Sequence, residues 1–338
     1  MNTLKKSVYL IAFALMPMSM CSCGGDGGDD ISSIPPDPAP DRPGISELVN
    51  TLWNETSYLN LDSKRKSLMY ELQTFADMCP NTAFKEYYAT DDRTALAAME
   101  DNSMLGFHKK ALDRVLGQID TEAVPHGSVV LWQVYNMGYV VKTPSHTFGI
   151  DLKHKYAAEF AGHIEFLCIT HAHEDHYTQA LVDAMATAGK PVYSNFIDND
   201  YMINGAATIS PCEGISMEVK IADHNTELKN FVVNYQIDCG SDTGHAVILH
   251  TGDSHNHAQL LKTRDIDIFI PHLAVGLDMA KAVGRLDPRV VLLSHILELD
   301  HPVEKWRWSY QYGINEVEKL NRDGVYLPVW GEKITYSK

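Results

Sequence analysis

Between residues 45 and 120 apolar side chains recur at three- and four-residue steps. Leu48 and Leu52 form one pair, Leu68, Leu72, Phe75 and Ala76 a longer series, and Leu105, Ala111, Leu112, Val115 and Leu116 another. That spacing gathers them on one helical face and predicts a layer of packed helices. Cys79-Pro80 and Thr90-Asp91-Asp92 punctuate it. From about residue 128 the period shortens. Val129 to Tyr135 and Tyr139 to Val141 read as strands around a turn at Met137-Gly138, and Phe148 to Leu152 as a third. A short helix, Tyr156 to Ala161, precedes an apolar run from Ile164 to Ile169 that only Glu165 interrupts, which predicts a buried strand. Ala180 to Met185 reads as the next helix. Further strands are expected at 191–193, 231–237, 246–250, 266–270, 290–293 and 325–329, with a helix from Val303 to Leu320. Hairpins that feed a helix and then a buried strand predict sheets packed as a sandwich under helices, an α/β chain that is not doubly wound.

The polar residues at the strand ends carry the chemistry. His171-Ala172-His173-Glu174-Asp175-His176 packs three histidines and two carboxylates into six residues, on a loop between a buried strand and a helix. Ligand sites of layered α/β proteins gather at such carboxyl ends. Imidazole and carboxylate are the donor set for zinc and similar ions. Other strands end in the same residue types: Asp253 in Thr251-Gly252-Asp253, His272 after Pro271, and His295 after Ser294. His224 precedes the 231–250 hairpin. A lone histidine at a strand end is ordinary. Several arriving with carboxylates are not, because buried charge needs compensation and a metal supplies it. No Gly-x-Ser-x-Gly nucleophile motif competes.

With His171 to His176 as His-x-His-x-Asp-His, a later Gly252-Asp253 and a terminal His295, the chain resembles the metallo-β-lactamase superfamily over roughly residues 128–338. Its lactonase-like and phospholipase-D-like branches are the most similar. The resemblance implies an αββα four-layer sandwich over 126–338, with residues 45–125 as an N-terminal helical extension or cap. It implies two divalent metal ions, zinc first, with manganese or iron as alternatives. His171, His173 and His224 would hold one, Asp175, His176 and His295 the other, and Asp253 would bridge them. His224 is preferred to His245, which would have to reach along its sheet. The implied reaction is attack of metal-bound hydroxide on an ester, lactone or phosphodiester of a small-molecule or lipid-like substrate. Asp175 and Asp253 are then the catalytic carboxylates. His255 and His272 are candidates for contacting substrate or backing a ligand. Glu174 is the variable position of the motif. His108 and His154 receive no role.

Composition narrows the class. The formal charge of −16 opposes a nucleic-acid-coating role, which needs a basic face, and so disfavours a metallo-nuclease of the same superfamily. A β-lactamase is the other superfamily alternative. A surface-displayed binding protein with a vestigial metal site is the alternative from another class. Residues 1–23 carry Lys5 and Lys6, an apolar stretch from Val8 to Met16 and then Ser22-Cys23, which resembles a bacterial lipoprotein signal with Cys23 acylated (Cys21 being the competitor). Residues 24–44 are Gly/Asp-rich and then Pro-rich, a linker. The acidic run after Cys23 is similar to surface-export signals of Bacteroidetes lipoproteins. The expectation is an exported protein whose lipid anchor touches the cell-envelope membrane, at the outer-membrane surface. Cys168 reads as a core thiol, and Cys212 and Cys239 as a pair open to a disulfide.

Overall fold

The computed structural model describes residues 44–338 apart from Asn102. The expected signal, the lipidated Cys23 and all of the linker but Gly44 lie outside the described residues. Five helices come first: α1 (Ile45–Glu55), α2 (Ser63–Met78), α3 (Asn81–Ala89), α4 (Arg93–Asp101) and α5 (Met104–Ile119). Asp62 caps α2 by accepting from Arg65 N at 2.8 Å.

Thirteen strands then build two sheets. They are β1 (Ser128–Gln133), β2 (Tyr139–Lys142), β3 (Thr147–Ile150), β4 (Leu167–Cys168), β5 (Val192–Tyr193), β6 (Ala207–Cys212), β7 (Ile215–Ala222), β8 (Val232–Asp238), β9 (Val247–His250), β10 (Ile268–Ile270), β11 (Val290–Leu292), β12 (Val325–Tyr326) and β13 (Lys333–Ser337). Helices α6 (Gln179–Thr187), α7 (Met279–Leu286) and α8 (Tyr310–Leu320) lie among them. The first sheet runs β13-β1-β2-β3-β4-β5, the second β12-β11-β10-β9-β8-β7-β6.

Alternation along the strands explains the layers. Val129 and Leu131 of β1, Val233, Tyr235 and Ile237 of β8, and Ile268 and Ile270 of β10 share one buried cluster between the sheets. The residues between them, such as Val130, Trp132 and Phe269, face the helices in a second cluster. An αββα sandwich results. The N-terminal helices are continuous with it. Arg65 of α2 donates twice to Glu332, at 2.9 and 2.6 Å, with both side chains buried. Trp53 of α1 donates to Trp330 O at 2.9 Å. Gly331, at φ 78°, lets that turn pass under α1, since a Cβ there would come within 2.7 Å of the Trp53 ring.

Three expectations need correction. The helix expected from Val303 begins only at Tyr310, where Ser309 caps it. Residues 301–308 are tied to the α2–α3 junction instead. Asn81 donates to His301 O at 2.7 Å and Val303 O at 3.1 Å, and Arg307 donates to Cys79 O at 3.0 Å. These tertiary bonds outweigh local propensity. β6, β7 and β13 are strands that are not among those expected. β6 is a largely exposed edge, and β13 takes its place by antiparallel pairing with β1. Cys212 and Cys239 form no disulfide, and the described cysteines are all free thiols.

Candidate metal centre

Strand ends from both sheets meet at the His171 loop. β4 is held on one side by Asp151 N donating to Cys168 O (2.9 Å) and on the other by Ile169 N donating to Tyr193 O (2.8 Å). At its end Thr170 turns toward Asp151. The amide donates to Asp151 Oδ1 and the hydroxyl to Oδ2, both at 2.7 Å. Thr170 O meanwhile accepts from Val233 N at 2.8 Å and so joins the second sheet. The turn that carries Asp253 must pass close to this threonine. A Cβ at Gly252 (φ 47°) would lie 2.6 Å from Thr170 Oγ1, so glycine is a steric requirement of the approach. His295 follows β11 with φ 70°, a left-handed conformation that favours glycine, and its amide donates to Asn136 O at 3.3 Å.

Two groups of donors result. His171, His173, His224 and Asp253 offer ligand atoms within 4.8 Å of one another, as do Asp175, His176 and His295. In the first group His171 Nε2 lies 3.1 Å from His173 Nδ1 and 3.7 Å from Asp253 Oδ2, and His224 Nε2 lies 3.4 Å from Asp253 Oδ2. In the second, His176 Nε2 is 3.2 Å from Asp175 Oδ2, and His295 Nε2 is 2.9 Å from the same oxygen. Asp253 reaches this group too, through Oδ1 at 3.3 Å from His176 Nε2. It stands between the groups, with Oδ1 toward His176 and Oδ2 toward His171 and His224, and Oδ2 is also 3.9 Å from His295 Nε2. A tetrahedral zinc with arms of about 2.0–2.3 Å has ligand–ligand edges of about 3.3–3.8 Å. The observed spacings straddle that range. His176 Nε2 and Asp253 Oδ1 are also buried without a hydrogen-bond partner, a costly state that a cation between them would relieve. The residues therefore fit one ion in each group.

The electrostatics of the groups differ. Burial, reinforced by His176, holds His171 well below the usual imidazole range, and burial with His224 pushes His173 down to about 4. Both are neutral at pH 7, as ligands must be. For His176 burial pushes downward, but Asp175, Asp253 and Asp151 outweigh it and hold the ring well above the usual range. Asp175 is pulled well below the carboxylate range, as His176 and His295 overcome its burial. Three carboxylates around one buried ring demand positive charge. Without metal a proton meets the demand, and a cation would replace it. Solvent reaches the centre where His173, Asp175 and His224 are partly exposed, whereas His171, His176, His272 and His295 are closed off.

Other sequence candidates fall in different places. His272 comes inside the centre. Its ring stacks on His295 at 4.0 Å, and it forms a third donor group with Asp253 and His295. His255 stays outside these groups, its Nδ1 3.3 Å from Asp223 O. Glu174 is exposed, and its carbonyl accepts from Lys153 at 2.7 Å. His245 is paired with Asp238 at 3.2 Å, away from Asp253.

Several contributors are absent from the sequence reading. Asp151 Oδ2 fixes His176 through Nδ1 at 2.9 Å, the carboxylate–imidazole arrangement that orients metal ligands. Asn136 donates to Asp175 Oδ2 at 3.2 Å, and Phe231 lies against the rings of His171, His173 and His224. Asp151 lies inside the expected Phe148–Leu152 run, and only the structure, which ends β3 at Ile150, places it at a strand end as Asp253 is. Asn136 and Phe231 carry no such signal.

No family model matches the chain, and no curated protein does. Solved structures similar to it include a metallo hydrolase from the hyperthermophilic archaeon Ignicoccus hospitalis KIN4/I, at 17% identity and TM-score 0.48, covering 62% of this chain and 99% of that one. A metallo-beta-lactamase fold protein from Bacillus subtilis aligns at 11% identity and TM-score 0.46, covering 62% and 99%. A diiron beta-hydroxylase from Streptomyces venezuelae aligns at 13% identity and TM-score 0.45, covering 64% and 55%. Likenesses this distant assign no residue a role.

Proposed function

We propose that the chain is a metal-dependent hydrolase of the metallo-β-lactamase superfamily that cleaves an ester, lactone or phosphodiester. The observation that carries the reading is the position of Asp253, which has one carboxylate oxygen toward His171 and His224 and the other toward His176. His171, His173 and His224 would hold one divalent ion, and Asp175, His176 and His295 the other. Zinc suits this imidazole-rich set best, with manganese or iron as alternatives. Bound ions supply an acidified water and a sink for negative charge on the substrate's carbonyl or phosphoryl oxygen.

The protein's own groups set the geometry. Asp151 and Thr170 lock His176, so that Nε2 points inward. Asp175 receives His295 and Asn136 on Oδ2, which fixes the carboxylate beside the opening, where it orients the attacking water. Phe231 packs against the rings of His173 and His224 and limits how they can turn. His272, stacked on His295 and grouped with Asp253, backs these two ligands from the closed side of the centre. The seven ligands are all present, which argues against a vestigial site, and the charge of −16 argues against a nuclease. We also propose export and acylation at Cys23, supported by the n-region, apolar stretch and Ser22-Cys23 of the sequence.

The deciding experiment is an activity screen of the metal-loaded protein on lactones, phosphodiesters and β-lactams, with Asp175→Ala alongside. Turnover lost in the variant is the expected result. A wild-type protein purified without transition metal, and indifferent to added metal or chelator in stability and activity, would refute the reading. Palmitate labelling that disappears with Cys23→Ser tests the anchor.

A further inference from the structure

A second donor cluster lies far from the centre. His146, in the turn between β2 and β3, Glu165, just before β4, and Cys212, at the end of β6, offer ligand atoms within 4.8 Å of one another. Glu165 and His171 flank β4 at opposite ends. At about 3.3 Å per extended residue the clusters are separated by roughly 20 Å. Cys212 likewise pairs with Ile215, where β7 starts, whereas His224 follows the end of β7. The first cluster occupies one rim of the sandwich and the second the opposite rim.

Each donor is held in place by backbone. Thr143 N donates to His146 O at 2.8 Å, and Thr143 Oγ1 accepts from His146 N at 2.9 Å, which closes a tight turn. Glu165 N donates to Thr147 O at 2.8 Å, and Thr147 N donates back to Glu165 Oε1 at 3.1 Å. The β6–β7 register shifts between Ile209 and Cys212, and such a bulge re-aims the side chain that follows it. The thiol is unpaired, so it is free to ligate.

The arrangement separates two chemistries. Glu165 approaches His146 Nδ1 at 3.0 and 3.2 Å, and Cys212 Sγ approaches the same nitrogen at 3.6 Å. A nucleophilic triad needs the thiol on one ring nitrogen and the carboxylate on the other, so that the ring relays a proton. Here both meet a single nitrogen, which holds one proton at most. Convergence of N, O and S on a common point is instead what a cation requires. The separations approach the edges of about 3.3–3.8 Å of a tetrahedral zinc.

We propose that His146, Glu165 and Cys212 form a second metal site, for zinc or a metal of similar softness. A fourth position is open to water, since Glu165 is 43% exposed. His146 and Glu165 belong to the first sheet and Cys212 to the edge strand of the second. An ion there clips the two sheets together at the rim opposite the His171–Asp253 centre, and the proposal stands independently of the function proposed for that centre.

Cobalt(II) titration of the full chain tests it. The seven residues of the other centre include no sulfur, Cys79, Cys168 and Cys239 are buried, and Cys21 and Cys23 are replaced by serine in every sample, so a sulfur-to-cobalt charge-transfer band reports on this cluster. The band is expected in wild type and in Asp253→Asn, and is expected to vanish in Cys212→Ser and in His146→Ala. No band in wild type, or one that survives Cys212→Ser, overturns the site. Alkylation of Cys212, mapped by peptide mass, gives a reading on folded protein that needs no other variant. Zinc is expected to slow it about tenfold or more in wild type and much less in Glu165→Gln. Equal rates with and without zinc mean an ion pair beside a bystander thiol, and overturn the proposal.

Discussion

Among the described residues two regions bury histidines, and in only one of them do buried carboxylates meet the rings. Under the helical layer His108 of α5 stacks on His154, with ring centroids 4.0 Å apart. Both rings are fully buried. His154 Nδ1 accepts from Tyr156 N at 3.1 Å, and its Nε2 donates to His108 O at 3.2 Å. One acceptor and one donor are what a neutral imidazole offers, so His154 is satisfied as it stands, while His108 meets Tyr88 Oη through Nε2 at 3.3 Å and has no partner on Nδ1. Burial holds both rings below the usual range, with His154 pushed down to about 3. At the centre His176 is equally buried, but Asp175, Asp253 and Asp151 drive it the other way and leave Nε2 unpartnered. A count of histidines does not separate a core from a metal site. The carboxylates around them do.

The largest effect is expected from Asp253→Asn, which removes the negative charge shared by both groups. The metal bound at this centre should be lost, leaving at most the equivalent held at Cys212, and turnover should fall to background, measured by elemental analysis and kinetics on the same sample. A metal held at a thousand times its Kd stabilises a fold by about 4 kcal/mol. The chelator-dependent part of that increment should disappear in the variant. If Asp253→Asn keeps the metal content of the wild type, the carboxylate is not what distinguishes the two regions.

A smaller effect is expected from Asp151→Asn, which leaves Asp175 and Asp253 as the carboxylates beside His176. The amide oxygen can still accept from Thr170, so the fold should survive. Replacing a carboxylate behind a ligating imidazole costs about 10–100-fold in metal affinity. Competition against a calibrated chelator measures it. Unchanged affinity would mean that Asp151 only fills space.

The contrast also explains what the sequence makes legible. The sandwich is readable because strand alternation and helical spacing are local properties. Most of the metal donors are readable because they follow strands, and four of them crowd into His171 to His176. Asp151 is one step harder. Its role depends on the parallel alignment of β3 with β4, which sets it beside Thr170. His146, Glu165 and Cys212 are harder still, because Cys212 and His146 are 66 residues apart and meet only through the edges of two sheets. The segment 303–309 fails in the opposite direction. Its residues tolerate a helix, and Asn81 and Arg307 hold them out of one. The His108–His154 stack has no signature, since each residue is a lone histidine in an apolar setting.

That stack yields the smallest and most selective prediction, a pH dependence with a definite sign. A histidine with a folded pKa of about 3 and an unfolded pKa near 6.5 binds more protons when unfolded, at every pH between these values. Stability therefore falls as pH drops below about 6.5, and levels off only below about 3. The slope approaches about 1.4 kcal/mol per pH unit, so His154 should cost about 1.5 kcal/mol between pH 6.5 and 5. His108 acts in the same direction. His154→Gln cannot take up the proton. It should be less stable at pH 7, where a packed ring is lost, yet its stability should decline less steeply toward pH 5, by about that amount. Denaturant melts of both proteins in chelator, so that metal release contributes to neither, give the two slopes. Parallel slopes would show that His154 is not held neutral, and burial without carboxylates would then not be what keeps this pair out of metal chemistry.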